Sequence, residues 1–175
     1  IKSSAASDVY KRQFLLKGKS RMPVAIMAMG IVFNLLNGMM QAGGLFYFAP
    51  EGLYADGWAY LLKPHALLGI ILFFAGMFIN LHSDYVIRHL RKPGDTKHYL
   101  PGKGLYRYVT SANYFGELVE WTGFAILTAS PAAWVFVWWT FANLVPRADA
   151  IHRRYREEFG DEAVGKRKRI IPFLY

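Results

Sequence analysis

Apolar residues are gathered into four long runs that polar and charged segments separate. The first run, Pro23 to Phe48, contains no Asp, Glu, Lys, Arg or His. As a helix, its roughly 26 residues would extend about 39 Å, which exceeds the bilayer core of about 30 Å. Shorter apolar runs follow at Ala66–Leu81, Tyr114–Ala129 and Pro131–Val145. The pattern predicts four helices, of which the first by itself is long enough to span a membrane.

The basic residues lie between these runs, and their density alternates from one connection to the next. The chain has 21 Lys and Arg, and all of them except Lys2 and Lys63 lie in 11–21, 88–107 and 147–169. The connection 49–64 contains only Lys63, and the short link at Ser130 contains no charge. Because Lys and Arg accumulate on cytoplasmic loops, we expect an all-α multi-pass membrane protein with four transmembrane helices and both ends of the chain in the cytoplasm.

Composition excludes several classes of function. A nucleic-acid-binding domain would not explain the charge-free first run, so we expect no nucleic-acid partner. The chain has no cysteine, which excludes disulfides and cysteine chemistry, and its five histidines form no His-Glu-x-x-His motif, so we expect no metal. Residues 1–13 are polar, lack a signal-peptide pattern and differ from all that follows, so we interpret them as a non-native or disordered leader.

Polar residues within the apolar runs fall on helix faces. In the first run Asn34, Asn37 and Gln41 follow i, i+3, i+7 spacing, which puts them on one face. Interhelical hydrogen bonds and ligand contacts explain this stripe equally well.

Two further stripes lie at the predicted cytoplasmic ends of the second and third helices. They comprise Asn80, Asp84, Arg88 and Arg91 on the second, and Asn113, Glu117 and Glu120 on the third. A structural series of ion pairs, or a pair between Arg147 and one of the two glutamates, would explain part of this pattern. Guanidinium groups also suit phosphates, and Asn and Glu suit ribose hydroxyls and carboxamides. The same residues would therefore suit a phosphate-bearing nucleotide.

Glycine motifs of soluble nucleotide-binding folds are incomplete. The run 160–167 resembles a phosphate-binding loop, but Arg167 stands where Ser or Thr should bind Mg²⁺. The run 102–104 begins like a dinucleotide fingerprint, but Arg107 occupies the third glycine position. We therefore expect no Rossmann domain.

Three motifs in the chain resemble signatures of the steroid 5α-reductase family. They are Asn-Leu-His-Ser-Asp-Tyr at 80–85, followed by Arg88 and Leu-Arg-Lys-Pro-Gly at 90–94; Tyr-Val-Thr-Ser-Ala-Asn-Tyr-Phe-Gly-Glu at 108–117, followed by Glu120-Trp121; and Ile-Pro-Phe-Leu-Tyr at 171–175. The likeness extends from about Phe14 to the last residue. It implies a seven-helix membrane fold, of which this chain has the last four helices, and a membrane-embedded NADPH-binding reductase domain at 14–175.

Carried over position by position, the resemblance implies two sets of site residues. NADPH would be bound by Asn80, Asp84, Arg88, Arg91, His98, Tyr99, Asn113, Glu117, Arg147, Tyr155 and Arg167. The substrate pocket would include Phe33, Glu120 and Trp121. The chain departs from the family at Tyr99, where a basic residue is common, and at Ile151, where a histidine is frequent. The glutamate that polarises the substrate carbonyl comes from earlier spans in the family, so no catalytic residue is identified in this chain.

The implied reaction is NADPH-dependent hydride transfer to the C=C bond of a conjugated 3-oxo-Δ4 steroid or a similar lipid enone. Polyprenols and enoyl thioesters are alternative substrates within the family. A membrane methyltransferase that uses S-adenosylmethionine is a second alternative, and a non-catalytic transport or scaffold bundle is a third. The many arginines favour NADPH, because S-adenosylmethionine has no phosphate. A bacterial inner membrane and the endoplasmic reticulum are equally compatible with the sequence.

Overall fold

The computed structural model describes residues 23–90 and 97–175, and every regular element in these ranges is helical. The α-helices are α1 (Val24–Phe46), α2 (Pro64–Arg88), α3 (Ala112–Thr128), α4 (Pro131–Phe159) and the single turn α5 (Asp161–Val164). Two 3₁₀ helices, Gly57–Leu62 and Gly104–Arg107, lie in the connections. The predicted all-α class is confirmed for the described residues. The predicted leader at 1–13 and the predicted cofactor contact Arg91 lie outside them.

The chain divides into a unit that ends at Phe48 and a second unit from Ala49 to Tyr175. In the first unit, part of the polar stripe bonds within α1 itself. The amide of Asn34 donates to the carbonyl of Gly30 at 2.8 Å, and the amide of Gln41 donates to Oδ1 of Asn37 at 3.3 Å. The sequence did not decide whether this stripe bonds a neighbouring helix or a ligand. Hydrogen bonds within α1 account for some of its polar groups.

Among the described helices, α1 and α2 are long and apolar enough to cross a membrane. α2 begins at Pro64, whose fixed φ angle suits the first position of a helix, and it runs for 25 residues. α3 has 17 residues, and α4 continues through Pro146 to a charged end at Phe159. All four predicted helices are present, and the four-span topology stays a prediction.

Glycines bring the backbones of α2 and α3 into contact. The residues responsible are Gly69, Gly76, Gly116 and Gly123, which we call the glycine seam. A Cβ atom added to Gly69 would lie 2.7 Å from Cα of Leu127, and one added to Gly116 would lie 2.5 Å from the backbone nitrogen of Asn80. Early residues of α2 thus face late residues of α3, so the two helices are antiparallel. Small residues permit such close packing in membrane proteins.

A second packing centre joins α3, α4 and the C-terminal segment. Its buried members are Tyr114, Leu118, Leu144, Ala148 and Ile170. The segment that carries Ile170 also bonds the residues before α3: the N–H of Thr110 donates to the carbonyl of Lys168 at 2.9 Å, and the N–H of Ser111 donates to the carbonyl of Arg169 at 3.1 Å. The C-terminal segment therefore packs against the helices through Ile170, whereas Phe173, Leu174 and Tyr175 are exposed.

Two tyrosines of the connection 49–63 close the opposite end of α3. The hydroxyl of Tyr60 donates to the carbonyl of Leu127 at 2.8 Å, and that of Tyr54 donates to the carbonyl of Thr128 at 2.5 Å. The last carbonyls of a helix have no hydrogen-bond donor within the helix. The two tyrosine hydroxyls supply the donors that a further helical turn would have supplied. The chain then reverses through Ala129, which has a φ of 49°, into α4.

Candidate functional site

The glycine seam positions the predicted site residues of α2 and α3 side by side. Asn80 is buried, and its backbone lies against Gly116, which immediately precedes Glu117. Asp84 lies one helical turn beyond Asn80, while Asn113 lies one turn before Glu117, and all three of Asp84, Asn113 and Glu117 are partly buried. Because the helices are antiparallel, the stripes of α2 and α3 occupy the same end of the bundle.

Tyr106 lies at this end of the seam, beside Asn113 of α3. It lies in the 3₁₀ helix before α3, its side chain is 1% exposed, and its hydroxyl donates to Oδ1 of Asn113 at 3.4 Å. Burial raises the pKa of Tyr106 well above its usual range, and the nearby Tyr155 hydroxyl and Asp84 carboxylate raise it further. Tyr106 thus lies among predicted site residues of three helices, and it stays protonated at neutral pH.

Sequence reasoning missed Tyr106. The residue lies in a short connection between Gly104 and Ser111, where no helical periodicity distinguishes a buried side chain from an exposed one. Its neighbour Tyr108 has the same chemistry and is 46% exposed. The difference in burial between the two tyrosines arises only when the connection packs against α2 and α3.

Arg147 has an unsatisfied group in this region. The residue lies on α4 and is partly buried, and its Nη1 is buried with no hydrogen-bond partner in the part of the chain that the structure describes. None of the ion pairs among the described residues includes Arg147, so the interpretation in which it neutralises Glu117 or Glu120 is not supported. A buried guanidinium nitrogen without an acceptor is unfavourable, and an anionic ligand would satisfy it.

The remaining predicted cofactor contacts have partners within the protein. Nδ1 of His98 lies 2.6 Å from Oε1 of Glu158, and Arg167 donates to the carbonyl of Pro101 at 3.0 Å. The guanidinium of Arg88 donates to the backbone carbonyl of Asp84 at 3.2 Å. Tyr99 is exposed in the same connection as His98. These contacts attach the connection to α4 and to the C-terminal segment, and cofactor contact by these residues stays a prediction.

The predicted substrate-pocket residues belong to two units. Glu120 lies at the glycine seam, where a Cβ atom added to Gly76 would approach its Cα to 2.6 Å. The ring of Trp121 packs edge-on against Phe136 of α4, with centroids 4.5 Å apart. Phe33 belongs to α1 in the first unit. The packing of Trp121 joins α3 to α4, and the substrate role of these residues stays a prediction.

An apolar cleft of about 250 Å³ lies beside this end of α2. It is lined by Phe78, Ile79, His82, Ser83, Gly104, Leu105 and Tyr108. Gly104 permits its narrow shape: the residue has a φ of +60°, and a Cβ atom there would lie 2.6 Å from the His82 ring. Among the residues that the structure describes, none of the predicted cofactor or substrate residues lines the cleft.

Comparison with known proteins identifies the family. Residues 20–175 match the family model described as 3-oxo-5-alpha-steroid 4-dehydrogenase. The chain is 44% identical to 3-oxo-5-alpha-steroid 4-dehydrogenase 1 of Macaca fascicularis, over 93% of this chain and 59% of that protein, and 43% identical to the Homo sapiens protein of that name, over 93% and 60%.

A plant relative is similar over the same region. The chain is 37% identical to steroid 5-alpha-reductase DET2 of Arabidopsis thaliana, over 90% of this chain and 59% of that protein. The chain therefore spans 59–60% of the length of these relatives. The match over nearly the whole chain shows that it belongs to the 3-oxo-5-alpha-steroid 4-dehydrogenase family.

Proposed function

We propose that this chain is the cofactor-binding part of an NADPH-dependent reductase that reduces the C=C bond of a conjugated 3-oxo-Δ4 steroid. The names of the relatives support the reaction and the class of substrate. The apolar helices α1 and α2 support a location in a membrane. We further propose four spans, with both ends of this chain in the cytoplasm.

The donor groups at the common end of α2, α3 and α4 fit NADPH. Arg147 has a buried nitrogen without an acceptor, and a phosphate oxygen is a strong acceptor for guanidinium. The amides of Asn80 and Asn113 suit carboxamide and hydroxyl groups, and the carboxylate of Glu117 accepts from ribose hydroxyls. The observation that carries the proposal is the unsatisfied Arg147 nitrogen, because packing among the described residues provides no acceptor for this charged donor.

In this proposal the protein binds NADPH and orients its nicotinamide, and the bound NADPH would supply the hydride. α2 and α3 present their polar groups from a rigid seam, which limits side-chain movement when a ligand binds. Fixed donors in such a setting orient a ligand with little reorganisation.

Ligand-induced stabilisation tests cofactor binding by this chain. The purified chain in detergent would be heated with NADPH, NADH or S-adenosylmethionine. A ligand at about 100 times its Kd stabilises the folded state by about 2.7 kcal/mol, which corresponds to a rise in Tm of roughly 5 to 10 °C for a domain of this size. We expect NADPH to produce this rise. Stabilisation by S-adenosylmethionine alone, or by none of the three, would contradict the proposal.

A matched pair of variants tests the site. Glu117→Ala should remove the NADPH-induced rise in Tm and, in the complete gene product, NADPH-dependent enone reduction. Glu157→Ala changes an exposed glutamate on the charged part of α4 and should retain both. Turnover of Glu117→Ala at the rate of the unmodified protein would count against the assignment.

A comparison of substrates tests the other half of the proposal. The complete gene product would be supplied with NADPH and a 3-oxo-Δ4 steroid, a polyprenol or an enoyl thioester. We expect the steroid to give the highest kcat/KM. Preference for the polyprenol or the thioester would retain the cofactor assignment and overturn the substrate assignment.

A further inference from the structure

The hydroxyl of Tyr106 contacts one particular atom of a proposed cofactor residue. It lies 3.4 Å from Oδ1 of Asn113 and donates to it. The phenol ring is buried in the connection before α3, which fixes the position of its hydroxyl oxygen beside Asn113. The backbone that carries it is closed by a hydrogen bond from the N–H of Tyr108 to the carbonyl of Leu105 at 2.9 Å.

This contact determines whether the Asn113 amide presents its oxygen or its nitrogen to a ligand. An asparagine amide has an acceptor oxygen and a donor nitrogen of nearly equal size, and its terminal torsion rotates easily. A hydroxyl that donates to Oδ1 selects the rotamer in which the oxygen is occupied. The Nδ2 hydrogens are then the group that Asn113 offers to a ligand, and no hydrogen bond between Nδ2 and the described residues competes for them.

We propose that Tyr106 is a positioning residue that acts through Asn113, because its buried hydroxyl holds the Asn113 amide so that the two Nδ2 hydrogens serve an acceptor oxygen of the bound cofactor. The inference rests on the proposed function and adds a residue and a direction of hydrogen bonding to it. A carboxamide carbonyl or a ribose hydroxyl oxygen is the kind of acceptor that such an amide binds. Protonation of the hydroxyl supports the assignment, since burial raises the pKa of Tyr106 and keeps the group a donor.

The Tyr106→Phe variant isolates the hydroxyl. It removes one oxygen and keeps the buried ring, so we expect the free protein to unfold cooperatively. One hydrogen bond contributes about 0.5 to 1.5 kcal/mol, so its loss should weaken NADP⁺ binding roughly 2- to 13-fold. Tyr108→Phe is the matched control: it removes the same atom from the exposed neighbouring tyrosine and should leave the Kd for NADP⁺ unchanged.

A double-mutant cycle separates positioning from a general structural effect. In an Asn113→Ala background there is no amide to orient, so Tyr106→Phe should have no further effect on NADP⁺ affinity. An equal loss of affinity in both backgrounds would overturn the inference. In the complete gene product, KM for NADPH should rise in Tyr106→Phe with kcat changed less, because the hydroxyl acts through Asn113 on binding of the cofactor.

A further variant keeps the inference testable if Tyr106→Phe does not fold. Asn113→Asp retains an oxygen that accepts from Tyr106 and lacks the Nδ2 hydrogens. We expect its free-protein Tm to be close to that of the unmodified protein and its NADP⁺ affinity to fall as in Asn113→Ala. NADP⁺ affinity equal to that of the unmodified protein would reject the role of Nδ2. Absence of NADP⁺ binding to the unmodified chain would instead reject the proposed function.

Discussion

Asn80 of α2 and Gly116 of α3 lie in backbone contact: a Cβ atom added to Gly116 would lie 2.5 Å from the backbone nitrogen of Asn80. Because Gly116 has no side chain, Asn80 can lie close to Glu117, the next residue of α3. Packing and the proposed cofactor site are therefore coupled at this position.

Gly116→Ala should separate the helices. The new methyl group would contact the backbone of α2 rather than a flexible side chain, so the helices must shift. Overpacking of this kind destabilises by about 1 to 3 kcal/mol, and thermal unfolding in detergent would measure it. The matched control is Gly38→Ala on α1, where a Cβ atom meets nothing within 4 Å. Equal Tm values for the two variants would show that the glycine seam does not limit the approach of the helices.

Arg147→Met should affect stability and binding in opposite directions. Methionine fills much of the same volume and removes the buried nitrogen that lacks an acceptor. The free protein should therefore be as stable as the unmodified protein, or more stable by up to about 1 to 3 kcal/mol. Loss of a charge-assisted hydrogen bond should weaken NADPH binding roughly 10- to 100-fold.

The control for Arg147→Met is Arg153→Met, which removes an exposed arginine whose partner is Asp149 at 3.0 Å. Exposed ion pairs contribute about 0 to 1 kcal/mol, so this variant should change neither property strongly. Unchanged NADPH affinity in Arg147→Met would remove the main support for the proposed phosphate contact.

His152 should make stability depend on pH. It is buried on α4 beyond the apolar run, and its Nδ1 lies 3.3 Å from Oγ1 of Thr110. Burial lowers the pKa of His152, and the guanidinium groups of Arg169 and Arg156 lower it further, while Asp149 and Asp161 act in the opposite direction. The folded state therefore favours the neutral ring.

The sign of the effect follows from this pKa. Below the ordinary histidine pKa of 6.5 the unfolded chain binds a proton that the folded chain does not, so stability should decrease as the pH falls from 6.5 toward the lower pKa of the folded state. Thermal unfolding between pH 7.5 and about 5 would measure the slope. His152→Gln should flatten this part of the profile. If Tm falls with pH equally steeply in His152→Gln and in the unmodified protein, other groups cause the pH dependence.

Ile170→Ala should destabilise the attachment of the C-terminal segment. The side chain is 0% exposed and packs with Leu144 and Ala148. Truncation of a buried Ile to Ala costs about 2 to 5 kcal/mol, which chemical denaturation would report. The control is Leu174→Ala, a 77% exposed residue four positions later, for which we expect a change within about 0.5 kcal/mol. Similar losses in both variants would contradict the packing described for Ile170.

The sequence alone determined the helical class, the four helices and the family. A charge-free run as long as α1 has few solutions other than a spanning helix, since backbone groups in hydrocarbon must bond internally. The stripes that include Asn80 and Asn113 were also visible, because neighbours on a helix face follow from spacing alone. These inferences depend on local geometry, which is repeated at every turn of a helix.

Contacts between distant residues were decided only by the tertiary structure. The glycines of the seam are visible in the sequence, but their spacing does not state which helix each one faces. Likewise, no sequence pattern distinguishes buried Tyr106 from exposed Tyr108. No pattern predicts that His98 contacts Glu158 or that Arg167 donates to the carbonyl of Pro101. The physical reason is that packing selects one arrangement among many with similar local preferences, and the selection depends on the shapes of segments that are far apart in the chain.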